Sequence, residues 1–525
     1  MSIVLVQKIN KGNGVRVMSG ISVIILCTIF AYMCLLIGVG VYNARKNSSS
    51  EDFYLGGRKM GALVVAMSAE ASDMSSWLLM GLPGVAYLTG LADAFWTAAG
   101  LAIGTYLNWL FTSRRLRRYS EKIGAITVPT FFAKRFHDEK NIITAISAVI
   151  IVVFFVPYVA SGFAACGKLF NSLFGLDYMV GVVVFAVIIV VYTIAGGFTT
   201  VATNDLIQSI VMSIALVSIV TFGVSSAGGM GAVMDNARSL SGYLSLSAIH
   251  DAVAGSAIPY SPLTAVSLLA WGIGYFGMPH ILVRFMSIED ENKLVLSRRV
   301  ASIWVTFAMG VAIFIGIVGL AVVNAGGMPA LEDSERVIIA LTNELSKNGF
   351  LAAVLGGVIL AGILAATMST ADSQMLVAAS GVSENIVQDF LGKKLTAKQG
   401  LNVARATILG IAVIGVFLAR DPNSSVFGIV SFAWAGMGAA FAGVMICALF
   451  WKRTTLQGAL AGMIAGGVMV FVWKYVVRPM GGILDIYELL PAFLISLAMI
   501  IIVSLATKAP SQDIIDEFDS VNVKK

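Results

Sequence analysis

The chain has 525 residues, of which 58% are hydrophobic and 12% charged, with a formal net charge of +6. Soluble domains carry about 25% charged residues, so this composition excludes a water-soluble globular protein and describes an integral membrane protein. The positive balance is not a nucleic-acid signal, because the basic residues fall in short loops between apolar runs, where the positive-inside rule places them.

Apolar runs of spanning length, roughly 20 residues each, recur about thirteen times: 17–42, 60–88, 92–112, 141–172, 178–196, 204–226, 261–280, 298–324, 349–388, 402–419, 424–451, 456–474 and 486–507. Lys8, Lys11 and Arg16 before the first run imitate a signal peptide. That run is too long for an h-region and has no clear cleavage site, so it reads as a spanning helix. The ninth run is too long for one simple span, and from about Glu384 it is expected to emerge into water. The tail 508–525 is short and polar, with no room for a soluble catalytic domain.

Charge asymmetry orients the chain. The loop 113–140 holds Arg114, Arg115, Arg117, Arg118, Lys122, Lys134, Arg135 and Lys140, which makes it cytoplasmic. The loops 44–59, 281–297, 389–401 and 452–455 fall on the same side, with Arg45, Lys46, Arg58, Lys59, Arg284, Lys293, Lys393, Lys394, Lys398, Lys452 and Arg453. The opposite loops 227–260 and 325–348 are poor in Lys and Arg, and the second is acidic (Glu332, Asp333, Glu335, Glu344). The N-terminus is then expected outside and the C-terminus in the cytoplasm, although Lys474 and Arg478 fall in an outer loop.

The second span carries the most informative segment, SAEASDMSSWLLMGL at 68–82. Glu70 and Asp73 lie inside it, and a carboxylate at a helix centre costs about 2.5–3.5 kcal/mol on insertion scales, so it is rarely there without a role. Ala69, Ala71, Ser72, Ser75 and Ser76 are small enough to let the helix unwind. The seventh span, SLLAWGIGYFGMPHILVRFM, is interrupted by Gly272, Gly274, Gly277 and Pro279. Proline removes a backbone donor, so this helix is predicted to break as well. A Pro-kinked packing helix would carry the same residues. Two such spans, five apart and one with an aspartate, point instead to an inverted-repeat transporter with a midplane site. The repeats are 60–226 and 261–451, preceded by an extra helix at 17–42 and followed by two final helices within 456–507.

A third polar cluster, ILAATMSTADSQM at 363–375, places positions 366, 369, 370 and 373 on one helix face. Hydroxyls and carbonyls are hard donors suited to a small hard cation, although one hydroxyl alone would merely join helices. Asp372 points away from that face. Trp77, Tyr158, Trp271 and Tyr275 lie in or beside the interrupted segments and offer apolar walls for a small amphipathic solute. The four cysteines, Cys27, Cys34, Cys166 and Cys447, have no CxxC spacing and read as small buried hydrophobes. A G-x-G at Gly272–Gly274 sits in a span and not between strand and helix, so it is no nucleotide loop.

Nearly the full length then matches one family in order: YLGGR at 54–58, ASDMS at 71–75 with Trp77, LLMGLPG at 78–84 and a TxPxFFxxRF-like run at 127–136. YxASG at 158–162, WGxGYFGxPHIxxRF at 271–285, ILAAxMST at 363–370, WA at 434–435 and GALAGM at 458–463 continue it. The chain resembles the sodium:solute symporter family, in its proline-transporting branch. The resemblance implies an all-α membrane protein with a LeuT-like core of two inverted five-helix repeats, and sodium-coupled uptake of L-proline across a bacterial plasma membrane.

It also implies sodium binding by Ala71, Met74, Ala366, Ser369 and Thr370. Asp73, Ser75, Asp205 and Arg58 would serve sodium coupling or gating, and Trp77, Tyr158, Trp271, Tyr275 and Pro279 would contact substrate. A member of the proline branch has glycine where this chain has Glu70 and Ser76, so a protonatable acid at 70 leaves proton coupling open. Another amino acid, a pantothenate-like carboxylate or a sugar is the alternative substrate. A sensor would need a long cytoplasmic kinase region, and no nucleophile–base pair suggests an enzyme.

Overall fold

A computed structural model describes residues 20–44 and 50–522. Lys8, Lys11, Arg16, Arg45 and Lys46, part of the orientation argument, lie outside the described residues, as do the first residues of the run 17–42. Among the described residues nine helices are long and apolar enough to cross a membrane, and a bent pair, Pro262–Gly277 with Pro279–Ser287, makes ten. The other three expected spans are helical too but fall outside that criterion. The run 60–88 is split into Ala62–Asp73 and Trp77–Thr89. The run 92–112 continues from Leu91–Leu107 through a widened turn, Asn108–Thr112, into the arginine-rich Ser113–Lys122. The run 178–196 is the short helix Tyr178–Gly196.

Helices dominate because the bilayer offers no partner for a free backbone donor or acceptor. Their outer faces remain apolar: Phe30, Val191, Ile303 and Val413 are each more than 60% exposed, as a lipid-facing surface requires. Cys27 and Cys34 lie on that exposed face of the first helix, which corrects the expectation of burial; Cys166 and Cys447 are buried. Thioether- and thiol-sized groups lose nothing by facing hydrocarbon, so apolarity alone does not separate core from lipid face.

Three further differences concern water-facing segments. The loop 227–260 folds into a helix, Met230–Ser239, and an antiparallel hairpin, Ala248–Asp251 with Ser256–Pro259. The helix Phe350–Ser380 stays helical past Glu384 to Phe390, and Asn385 Nδ2 donates to Thr130 Oγ1 at 2.9 Å, which holds it against the helix Val128–Arg135. The polar tail forms a helix, Gln512–Asn522, anchored by buried Phe518 and by Tyr119 Oη donating to Glu517 Oε1 at 3.0 Å.

Candidate functional site

The first break follows from hydrogen-bond bookkeeping. The last regular bond is Met74 N to Glu70 O at 2.9 Å. Met74 then leaves the helical region (φ −79°, ψ 70°). Ser75 N donates to Asp73 O and Leu78 N to Ser75 O, so the carbonyls of Ala71 and Met74 lose the i+4 donors an unbroken helix would supply. Ser and Asp favour this because their side chains compete with the helical backbone. The tip is braced by Trp77 Nε1 donating to Asp73 O at 3.1 Å and Tyr158 Oη donating to the same carbonyl at 3.3 Å.

The hydroxyl helix Phe350–Ser380 faces this break. Ser369 Oγ lies 2.7 Å from Ala71 O and 3.1 Å from Ala366 O, and Thr370 Oγ1 lies 3.2 Å from Ala366 O. Ala71, Ala366, Ser369 and Thr370 thus converge, with Met74 at the break beside them, and every donor is a hard oxygen suited to a monovalent hard cation. Ser75, Tyr158 and Thr370 line a small cavity with Gln374 next to this cluster.

The second break is built differently. Ala270–Gly277 tightens into a 3₁₀ stretch, Met278 is extended, and Pro279 opens the next helix, with a bend of 48°. Proline is tolerated there because the first turn needs no N–H. Tyr275 Oη donates to Asp73 Oδ2 at 2.5 Å, so the two breaks touch through side chains. Trp271 packs near Trp77 (ring centroids 6.1 Å), Tyr487 (5.1 Å), Phe427 (5.5 Å) and Trp434 (6.3 Å), and Trp434 Nε1 donates to Trp271 O at 2.8 Å. This apolar wall stands against the polar tip of the first break.

Asp205 lies one layer away. Its Oδ2 receives Ser68 Oγ at 2.6 Å and Arg284 Nη2 at 3.0 Å, while Arg284 Nη2 also reaches Ser373 Oγ at 2.6 Å and Nε reaches Ser68 Oγ at 2.7 Å. Arg284, expected in a cytoplasmic loop, is instead 1% exposed inside the helix Pro279–Ser287. A guanidinium can remain there because a carboxylate, two hydroxyls and the His280 carbonyl satisfy it. Arg58 stands apart from the other site residues: it donates to Ala125 O at 2.6 Å and Met286 O at 2.9 Å and pairs with Glu51, tying three distant segments together. Pro279 lines a narrow cleft with Tyr54, Arg284 and Ser373.

Sequence reasoning passed over Arg284, Trp434, Tyr487 and Phe427. Arg284 and Trp434 stand in two of the quoted motifs, but nothing local assigns either a contact in the site.

Two mid-span breaks facing each other, with freed carbonyls opposite a hydroxyl helix, define a LeuT-like secondary transporter. A solved sodium-coupled sialic acid symporter in a substrate-bound outward-open state has the same fold: TM-score 0.75 at 18% identity, over 93% of this chain and 99% of that one. The sodium:solute symporter profile matches residues 53–466, and the chain belongs to that family. The high-affinity proline transporter PutP of Bacillus subtilis is 39% identical over 485 residues, 92% of this chain and 98% of that protein. A sodium/proline symporter of Haemophilus influenzae is 39% identical over 505 residues, 94% and 97% of the two chains.

Proposed function

We propose that this chain is a plasma-membrane symporter that couples inward sodium movement to uptake of L-proline. The observation that carries the reading is the pair of freed carbonyls, Ala71 and Met74, opposite Ser369 and Thr370 and beside an aromatic wall. The names of the similar proteins and the match of the family's motifs support proline as the solute. Ala71, Met74, Ala366, Ser369 and Thr370 hold sodium. Its charge stabilises the unwound tip and orders Asp73, whose bond to Tyr275 carries that order to the second break.

Proline then binds against Trp77, Tyr158, Trp271 and Tyr275, with its carboxylate near a half-helix N-terminus. Ser75 shapes the tip, Asp205 holds the layer beneath it through Arg284, Pro279 sets the direction of the second half-helix, and Arg58 ties the inner gate. The N-terminus lies outside and the C-terminus in the cytoplasm, with residues 60–226 and 261–451 as the two inverted repeats. A membrane potential adds about 2.3 kcal/mol per charge per 100 mV, enough for roughly fortyfold accumulation before the sodium gradient contributes.

Radiolabelled proline uptake into vesicles, with and without an imposed sodium gradient, tests the coupling. Uptake is expected to rise with inward sodium and inside-negative potential; indifference to sodium refutes it. Competition by other amino acids, pantothenate and sugars tests the solute, and inhibition by proline alone is expected.

A further inference from the structure

Glu70 has no place in the sodium or proline contacts, yet it is buried, one turn before the first break. Its Oε1 accepts from Trp109 Nε1 at 2.9 Å. Trp109 and its neighbour Asn108 open the widened turn Asn108–Thr112. A π-turn winds less per residue than an α-turn and is often found at functional sites. Here it sends two consecutive side chains to different helices. Asn108 Nδ2 donates to Tyr275 O at 3.0 Å, in the 3₁₀ stretch of the second break. Trp109 also packs its ring against Phe285 at a tilt, with centroids 4.4 Å apart.

The contacts close into a circuit. Glu70 binds Trp109, Trp109 adjoins Asn108, Asn108 binds the main chain of Tyr275, and Tyr275 Oη returns to Asp73, three residues after Glu70. The helix carrying the turn is pressed onto the second break without side chains between: a Cβ on Gly104 would lie 2.3 Å from Gly272 Cα. The side chains of Glu70, Asp73, Asn108, Trp109 and Tyr275 are all buried. Buried hydrogen bonds in such a loop support one another and specify one geometry.

We infer that Asn108 and Trp109 are positioning residues that set the spacing between the two breaks, with Glu70 as the anchor on the sodium side. The brace transmits sodium binding to the proline wall, and this inference rests on the sodium–proline reading above. Glu70 serves as a hydrogen-bond acceptor, so a glutamine replaces it and a leucine does not.

The test measures proline binding to the purified full-length chain with and without saturating sodium, and takes the ratio of the two affinities. Loss of one buried hydrogen bond corresponds to about a three- to tenfold effect. Trp109→Phe, which keeps a ring for Phe285, and Asn108→Ala are each expected to lower the sodium-induced gain by that factor. Glu70→Leu is expected to match Trp109→Phe, and Glu70→Gln to retain the wild-type gain. An unchanged gain in Trp109→Phe and Asn108→Ala overturns the inference, and so does a Glu70→Gln variant as impaired as Glu70→Leu. If the unaltered chain shows no sodium-induced gain, the sodium–proline reading has failed instead. Melting temperatures then decide the brace: non-additive losses in Glu70→Leu combined with Trp109→Phe support it, and additive losses overturn it.

Discussion

The two broken helices reach the same end by opposite means. The first contains neither glycine nor proline from Ala62 to Asp73 or at the break itself. It unwinds because Asp73, Ser75, Trp77, Tyr158 and Ser369 offer its backbone partners other than the next helical turn. The second is held by close packing. A Cβ on Gly272 would lie 2.1 Å from Gly100 O, on Gly274 2.0 Å from Trp434 Nε1, and on Gly277 2.8 Å from Met437 O. Polar support leaves carbonyls free for an ion, whereas steric support covers the main chain with neighbouring backbone and rings. In the proposed mechanism the ion binds at the first break and the rigid wall belongs to the second.

The sharpest way to break that contrast is to place an alanine in each. Gly274→Ala drives Cβ into the indole of Trp434, and buried backbone there has no room to move, so recovery of folded, monodisperse protein is expected to fall severely. Ser76→Ala at the first break removes only a hydroxyl without a partner among the described residues, and recovery is expected to stay near normal. Equal recovery of the two variants would mean that packing does not distinguish the breaks.

Arg284→Leu comes next. It leaves Asp205 buried without its cation, a loss of about 3–5 kcal/mol, expected as a large drop in melting temperature. Pairing it with Asp205→Leu should restore part of the loss, because the uncompensated charge disappears.

Ser369→Ala sharpens the comparison from the ion side. It deletes a hydroxyl 2.7 Å from Ala71 O, and about tenfold weaker sodium dependence of proline binding is expected, with melting in the absence of sodium little changed. Trp77→Phe is the mildest change. It keeps a ring near Trp271 but loses the bond to Asp73 O, so a loss of about threefold in sodium affinity is expected, with proline affinity at saturating sodium nearly intact.

Both breaks were legible in the sequence because their causes are local: a run of Ser, Ala and Asp in one, three glycines and Pro279 in the other. The hydroxyl face at 366, 369, 370 and 373 was legible because helical period alone puts those residues together. Arg284 was misplaced for the opposite reason. A lone arginine near the end of an apolar run reads as snorkelling into a loop, and only Asp205, 79 positions away, explains why it stays inside. Trp434, Tyr487 and Phe427 were invisible because their shared property is contact with Trp271, which joins distant segments.

Apolar runs and the two interruptions were sufficient to define a helical membrane protein with two broken spans, since each depends on a few neighbouring residues and the surrounding solvent. Tertiary packing decided which oxygens meet Ser369, which ring covers Gly274, and how Glu70, Trp109, Asn108 and Tyr275 join. Those choices depend on the register of one helix against another, and no stretch of chain contains both sides of that contact.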